Sequence, residues 1–152
     1  MKYIVSSFVL LSLILVVGCG EKSDGNTFVT GTITQDGKPL EGAKVVFIPE
    51  GGSGEGASGR TDATGKFVLT TSGGKNGSGT KTGNYQVTVS KTEMKWDGKS
   101  YVTAVVDGED VKVKDEKTVH LLPVQYRNVA STPFKATVTE NKDSNVFDFD
   151  VK

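Results

Sequence analysis

The chain has 152 residues, a length that sets the expectation of one domain with short appendages. Lys plus Arg and Asp plus Glu balance at 18 each, so no net field draws the protein to nucleic acid. A single Cys and a single His exclude an internal disulfide framework, a Cys-rich zinc site and a multi-histidine metal centre, and no cofactor fingerprint is present.

The chain opens on Lys2 and an apolar stretch over residues 3–17, softened by Ser6, Ser7 and Ser12. That stretch is shorter than the about 20 residues that span a bilayer, and it suits the core of a signal peptide. Small and polar residues follow, from Gly18 through Asn26. The run Val16-Val17-Gly18-Cys19 resembles the lipobox of bacterial lipoproteins. In that family the Cys thiol receives a diacylglycerol, the bond before it is cut, and the new amine is acylated. The resemblance implies a signal peptide over 1–18, lipidation at Cys19 and a flexible tether over 19–27. Each buried acyl CH₂ contributes roughly 0.8 kcal/mol, so two or three chains hold a protein on a membrane without a spanning helix. It also implies a cell-envelope location, with Gly20 in place of Asp after the Cys pointing to the outer membrane of a double-membraned cell. An ordinary secretory signal followed by a free thiol is the alternative.

Beyond residue 18 Val occurs 17 times, Thr 17 times and Leu 4 times, an excess of β-branched residues that favours pleated strands. No window carries the i, i+3, i+4, i+7 apolar pattern of a helix. The first alternating run is 28–34, with Val29, Gly31 and Ile33 on one face and Thr30, Thr32 and Thr34 on the other. Residues 43–48 are mostly apolar and read as a central strand; 67–71 follow. Over 85–90 the alternation places Tyr85, Val87 and Val89 inward. Weaker runs occupy 101–106, 111–114 and 118–122, and the runs 134–139 and 146–151 complete the set. Asp36-Gly37 and Asp97-Gly98 offer turns tolerant of positive φ, and the segment 61–67 reads as a tight turn with Gly65 in the left-handed position. The Gly/Ser-rich stretches 49–60 and 72–84 read as mobile hairpin ends, since neither has the pattern of a phosphate-binding loop. These features predict an all-β fold, an antiparallel β-sandwich of about seven to eight strands over 28–152.

Three segments carry a family resemblance: the strand and turn Gly31-Thr32-Ile33-Thr34-Gln35-Asp36-Gly37-Lys38-Pro39-Leu40-Glu41-Gly42-Ala43-Lys44-Val45, then Thr61-Asp62-Ala63-Thr64-Gly65-Lys66-Phe67, then Gly83-Asn84-Tyr85-Gln86-Val87-Thr88-Val89. In this order they resemble the carboxypeptidase regulatory-like domains, small sandwiches with a transthyretin-like (prealbumin-like) fold. Leu121-Leu122-Pro123-Val124-Gln125-Tyr126 and the 145–149 stretch look like small bacterial lipoproteins that carry this domain. The resemblance implies a non-catalytic binding or scaffolding role. Region 91–118 departs from the pattern and reads as an insertion or an extra hairpin.

Catalytic constellations are missing. Transthyretin relatives include a hydrolase of a purine breakdown intermediate that uses two His, an Arg and a tail beginning Tyr-Arg; Tyr126-Arg127-Asn128 stand here without the second His. His120 alternates opposite Val119 and reads as a surface strand residue. Asp107-Gly108-Glu109-Asp110 has turn chemistry and lacks the spacing of a calcium loop. An internal amide bond between Lys44 and Asn145, with Glu41 or Glu93 as acid, is disfavoured because Lys44 alternates toward solvent. Trp96 and Tyr101 flank Asp97-Gly98-Lys99 and are the candidate ligand-binding pair, suited to stacking on a sugar ring or to capping the sandwich. The expected function is therefore that of a non-catalytic, membrane-anchored binding or structural module of the cell envelope. Its expected partners are the membrane, through the lipid, and an envelope protein or glycan. A carbohydrate-binding surface module is the alternative.

Overall fold

The computed structural model describes residues 25–52 and 55–152; the expected signal peptide, Cys19 and the first part of the expected tether lie outside the described residues. In chain order the strands are β1 (Thr30–Gln35), β2 (Lys38–Pro39), β3 (Lys44–Pro49), β4 (Ala57–Arg60), β5 (Lys66–Val68), β6 (Thr70–Thr71), β7 (Gly83–Ser90), β8 (Thr92–Val106), β9 (Glu109–His120), β10 (Lys135–Val138) and β11 (Val146–Val151). A one-turn helix, α1 (Val124–Arg127), and a 3₁₀ turn (Lys142–Ser144) lie between β9 and β11.

Period-two alternation builds the first layer. In and beside β1, Val29, Gly31 and Ile33 are buried while the intervening threonines stay half-exposed. β11 runs parallel to β1 in the register Thr30 to Val146 through Gln35 to Val151. The other edge of β1 is shared, its first half by β5 and its second half by β2, both antiparallel. Glycine is required at position 31 because a Cβ there would lie 1.8 Å from the Phe147 carbonyl oxygen and 2.8 Å from Cζ of Phe67. The second layer is an antiparallel sheet in the order β10-β7-β3-β4-β6. It faces the first across Val45, Phe47, Tyr85, Val87, Val89 and Val138. Phe47 sits at the middle, its ring centroid 6.2 Å from Phe67, 5.8 Å from Tyr85 and 5.7 Å from Phe147. Burying one such ring contributes about 1.5–3 kcal/mol. The protein is an all-β antiparallel sandwich, and among the described residues one pairing is parallel, that of β1 with β11.

Polar pins hold the turns to the layers. The buried Thr61 hydroxyl donates to the Leu40 carbonyl at 2.6 Å and accepts from the Ala43 N–H at 2.8 Å, joining the 36–43 and 61–67 turns. Asp62 Oδ1 accepts from the N–H of Thr64 and of Lys66, and Gly65 follows at φ 76°. Asn145 is fully buried just ahead of β11. Its Nδ2 donates to the Thr139 carbonyl at 2.8 Å and to Thr27 Oγ1 at 3.3 Å, and its Oδ1 accepts from the Thr139 N–H at 2.9 Å. Thr27 itself is buried and bridges Thr80, so the folded body has begun by that residue.

Several boundaries differ from the sequence reading. The 49–60 stretch, read as a loop, contains β4, and the 67–71 run is divided between β5 and β6 so that it serves both sheets in turn. The Leu-Leu-Pro segment leads into α1, which carries Tyr126 into the core. There its ring stacks on Phe134 at 5.4 Å and its hydroxyl accepts from the Lys152 N–H at 3.1 Å. The weak runs 101–106 and 111–114 and residues 118–120 of the third are parts of one long hairpin, β8 with β9, which forms a two-stranded sheet of its own, while Leu122 belongs to the core.

Candidate functional site

The hairpin is the part of the fold that the sandwich does not use. It leaves the body at Lys91 and Leu121, where the Leu121 N–H donates to the Lys91 carbonyl at 2.9 Å. It turns at Asp107 (φ 52°) and Gly108 (φ 84°), the pair of left-handed residues that a two-residue hairpin loop demands. Beyond its root its two strands pack on one another rather than on either sheet. The Asp97-Gly98 turn expected from sequence is not a hairpin turn. Residues 97–100 bulge from β8, so that Trp96 faces Glu116 and Tyr101 faces Lys114.

The bulge is tightly bonded. Asp97 Oδ1 accepts from the N–H of Lys99 at 2.8 Å and of Ser100 at 2.7 Å, and Oδ2 accepts from the Ser100 hydroxyl at 2.5 Å. These bonds, that of the Ser100 hydroxyl foremost, hold the Asp97 carboxyl down to about 2. The Trp96 indole N–H donates to the Ser100 carbonyl at 2.6 Å. The bulge thereby brings together the two candidate residues: the Trp96 and Tyr101 rings meet edge to face, centroids 5.3 Å apart at 69°. Lys114 Nζ lies 5.0 Å from the centre of the indole. Tyr101 is 53% exposed and Trp96 is half-buried.

The opposite face of the distal half carries what the sequence reading missed. Val102 pairs with Val113 and Ala104 with Val111, and Val106 lies beside the turn. Val102, Val106 and Val113 are exposed on this face, while Met94 and Val105 are exposed on the face of the aromatic pair. Their signal in the sequence was an uncharged run, Ser100-Tyr101-Val102-Thr103-Ala104-Val105-Val106, opposite a heavily charged one.

The remaining candidates stay apart. His120 is exposed at the hairpin root, opposite Thr92. Asp107 forms the hairpin turn, and among the described residues no group of three or more His, Cys, Asp or Glu is placed to hold a metal ion. Lys44 points to solvent on β3, and Glu41 and Glu93 are exposed, while the Asn145 amide is engaged by Thr27 and Thr139, so no Lys–Asn–acid cluster assembles. A shallow groove over Thr32, Thr34, Asp148 and Asp150 holds one engaged carboxylate. Asp150 accepts from the Gly37 N–H at 2.9 Å and the Thr34 hydroxyl at 2.7 Å, and these bonds lower its carboxyl below the ordinary value.

No family model matches the chain, and no curated protein matches it. Among solved structures, a 9R-lipoxygenase from Cyanothece PCC8801 is similar over 87% of this chain and 17% of that one, with 14% sequence identity and a TM-score of 0.37. The chain thus spans less than a fifth of that enzyme, and a likeness of this degree carries no argument about fold or activity.

Proposed function

We propose that this chain is a non-catalytic lipoprotein of the cell envelope, anchored by lipid on Cys19, whose carboxypeptidase regulatory-like, transthyretin-like sandwich acts as a binding or structural module. The 92–120 hairpin is its interacting element. The observation that carries this reading is a ribbon that stands off a completed core, whose two outer edges pair with no other strand among the described residues and which exposes Met94, Tyr101, Val102, Val105, Val106 and Val113. The carboxylates with lowered pKa support it, because Asp62, Asp97 and Asp150 each owe the shift to turn or cross-strand hydrogen bonds. The lipobox-like run at residues 16–19 supports the anchor.

The test is the intact mass of the protein extracted from membranes with detergent. Residues 19–152 plus glyceride and acyl groups is the expected result; an unmodified, membrane-free chain overturns the anchor. A glycan-binding reading has the contact of Trp96 with the exposed ring of Tyr101 in its favour. It requires that glycans quench the Trp96 fluorescence and that Tyr101→Ala abolish the effect.

A further inference from the structure

The two edges of the hairpin are chemically unlike. A two-stranded sheet leaves an unpaired row of N–H and C=O groups on the outside of each strand, a template for strand addition. β9 is protected along its length by Glu109, Asp110, Lys112, Lys114, Asp115, Glu116 and Lys117. The distal part of β8, residues 100–106, has no charge, no Pro and no Gly, and is built of β-branched, aromatic and small residues. This is the composition that pairs with further strands, and among the described residues no strand other than β9 pairs with β8.

We propose that the outer edge of β8 pairs with the same edge of a second copy, antiparallel about a two-fold axis at Thr103, to give a four-stranded sheet in the order β9-β8-β8-β9. This rests on the reading of the hairpin as the interacting element. The segment is complementary to itself. In that register Tyr101 of each copy faces Val105 of the other, Val102 faces Ala104, and Thr103 faces Thr103. Aromatic to β-branched, apolar to apolar and Thr to Thr pairs are each favourable across strands. The same register carries the Lys99 end of each strand to the Asp107 end of the other, so opposite charges close both ends of the contact. The interface is isologous and closed, and it therefore stops at a dimer once the charged β9 edges lie outermost. A contact of this length falls short of the roughly 1,200 Å² of a standard stable interface. Two copies confined to one membrane gain the effective concentration that makes such a contact persist.

The experiment is cysteine crosslinking of the full-length protein in its membrane under mild oxidation, with single substitutions Tyr101→Cys, Val102→Cys, Thr103→Cys, Ala104→Cys and Val105→Cys. The unsubstituted chain sets the background, and Lys114→Cys is the control on β9. Opposed antiparallel residues lie about 4.5–5.5 Å apart at Cα, within disulfide reach. Disulfide-linked homodimer is expected to peak at Thr103→Cys and to fall several-fold toward 101 and 105. A mixture of Tyr101→Cys and Val105→Cys chains should crosslink better than either alone. Equal yield at all positions, or a maximum at Lys114→Cys, overturns the proposal. Crosslinks to another protein but not between copies overturn self-pairing and leave the hairpin as the interacting element. No crosslink from any position overturns both.

Discussion

Replacing Asn145 tests whether one amide ties the start of β11 to the rest of the fold. Asn145→Ala removes two donated bonds and two accepted ones, the longer from the Thr139 hydroxyl at 3.5 Å, and strands the N–H and C=O of Thr139 and the hydroxyl of Thr27. Each stranded buried group costs about 1–3 kcal/mol, and water reaches Thr139 from outside, so the expected loss is about 2–3 kcal/mol. Asn145→Asp refines the test. Its carboxylate keeps the acceptor for the Thr139 N–H but turns the second oxygen toward the Thr139 carbonyl, so only the protonated form restores a donor to that carbonyl. Burial then raises the folded-state pKa above the unfolded value of about 3.9. The native state binds the proton more tightly, so stability relative to wild type falls as pH rises from about 4 to the folded pKa, by about 1.4 kcal/mol per unit. Urea unfolding of wild type and both variants at pH 4 and pH 7 measures the differences. An Ala variant costing under about 0.5 kcal/mol, or an Asp deficit equal at the two pH values, would refute the assignment.

Gly31→Ala forces a methyl group into the Phe147 carbonyl and should part β1 from β11, lowering stability by about 3 kcal/mol or more in thermal unfolding; an unchanged midpoint would show that the strands yield freely. Phe47→Ala empties the centre of the aromatic cluster and is expected to cost about 3–5 kcal/mol by the same measurement. Because the Asp97 pKa is depressed, its carboxylate supports the bulge above about pH 4 and that support is lost as pH falls through about 2. Trp96 emission should follow that transition in the wild type and lose it in Asp97→Asn. Replacing residues 92–120 by Asn-Gly, across the gap that the Leu121–Lys91 hydrogen bond already closes, should leave the sandwich within about 0.5 kcal/mol of its starting stability; a larger loss would make the hairpin part of the core.

Strands with one wet and one dry face were legible in the sequence, because alternation records the difference. Val29 to Ile33 and Tyr85 to Val89 fell on the inward face as read. β4 was hidden for a physical reason. A Cβ at Gly59 would lie 2.5 Å from the Val68 carbonyl, so close approach imposes a glycine where β-formers would otherwise announce a strand. The hairpin was broken into fragments because both of its faces meet solvent, which leaves alternation nothing to record. Asp-Gly occurs twice in it, and only at 107–108 do both residues adopt positive φ; at 97–98 the Asp spends its side chain on Lys99 and Ser100 instead. At the candidate site, Trp96 and Tyr101 were singled out by their spacing, and the bulge that joins them was not. The open edge of β8 was written plainly in an uncharged run, but its meaning depends on which strand lies beside it.

The parallel pairing of β1 with β11 sets the order in which this molecule can be made. Thr34 and Asp150, joined by a hydrogen bond, are separated by 116 positions, and closing a span of that size costs about 4 kcal/mol before any contact repays it. The hairpin, whose contacts are local, closes within microseconds, whereas a sandwich sealed by such distant strands belongs to the millisecond-to-second class. As the chain emerges during synthesis, β1 waits with one flank open until β11 arrives. For that interval the chain remains threadable, and the step that ends it is the arrival of Phe147 against Gly31.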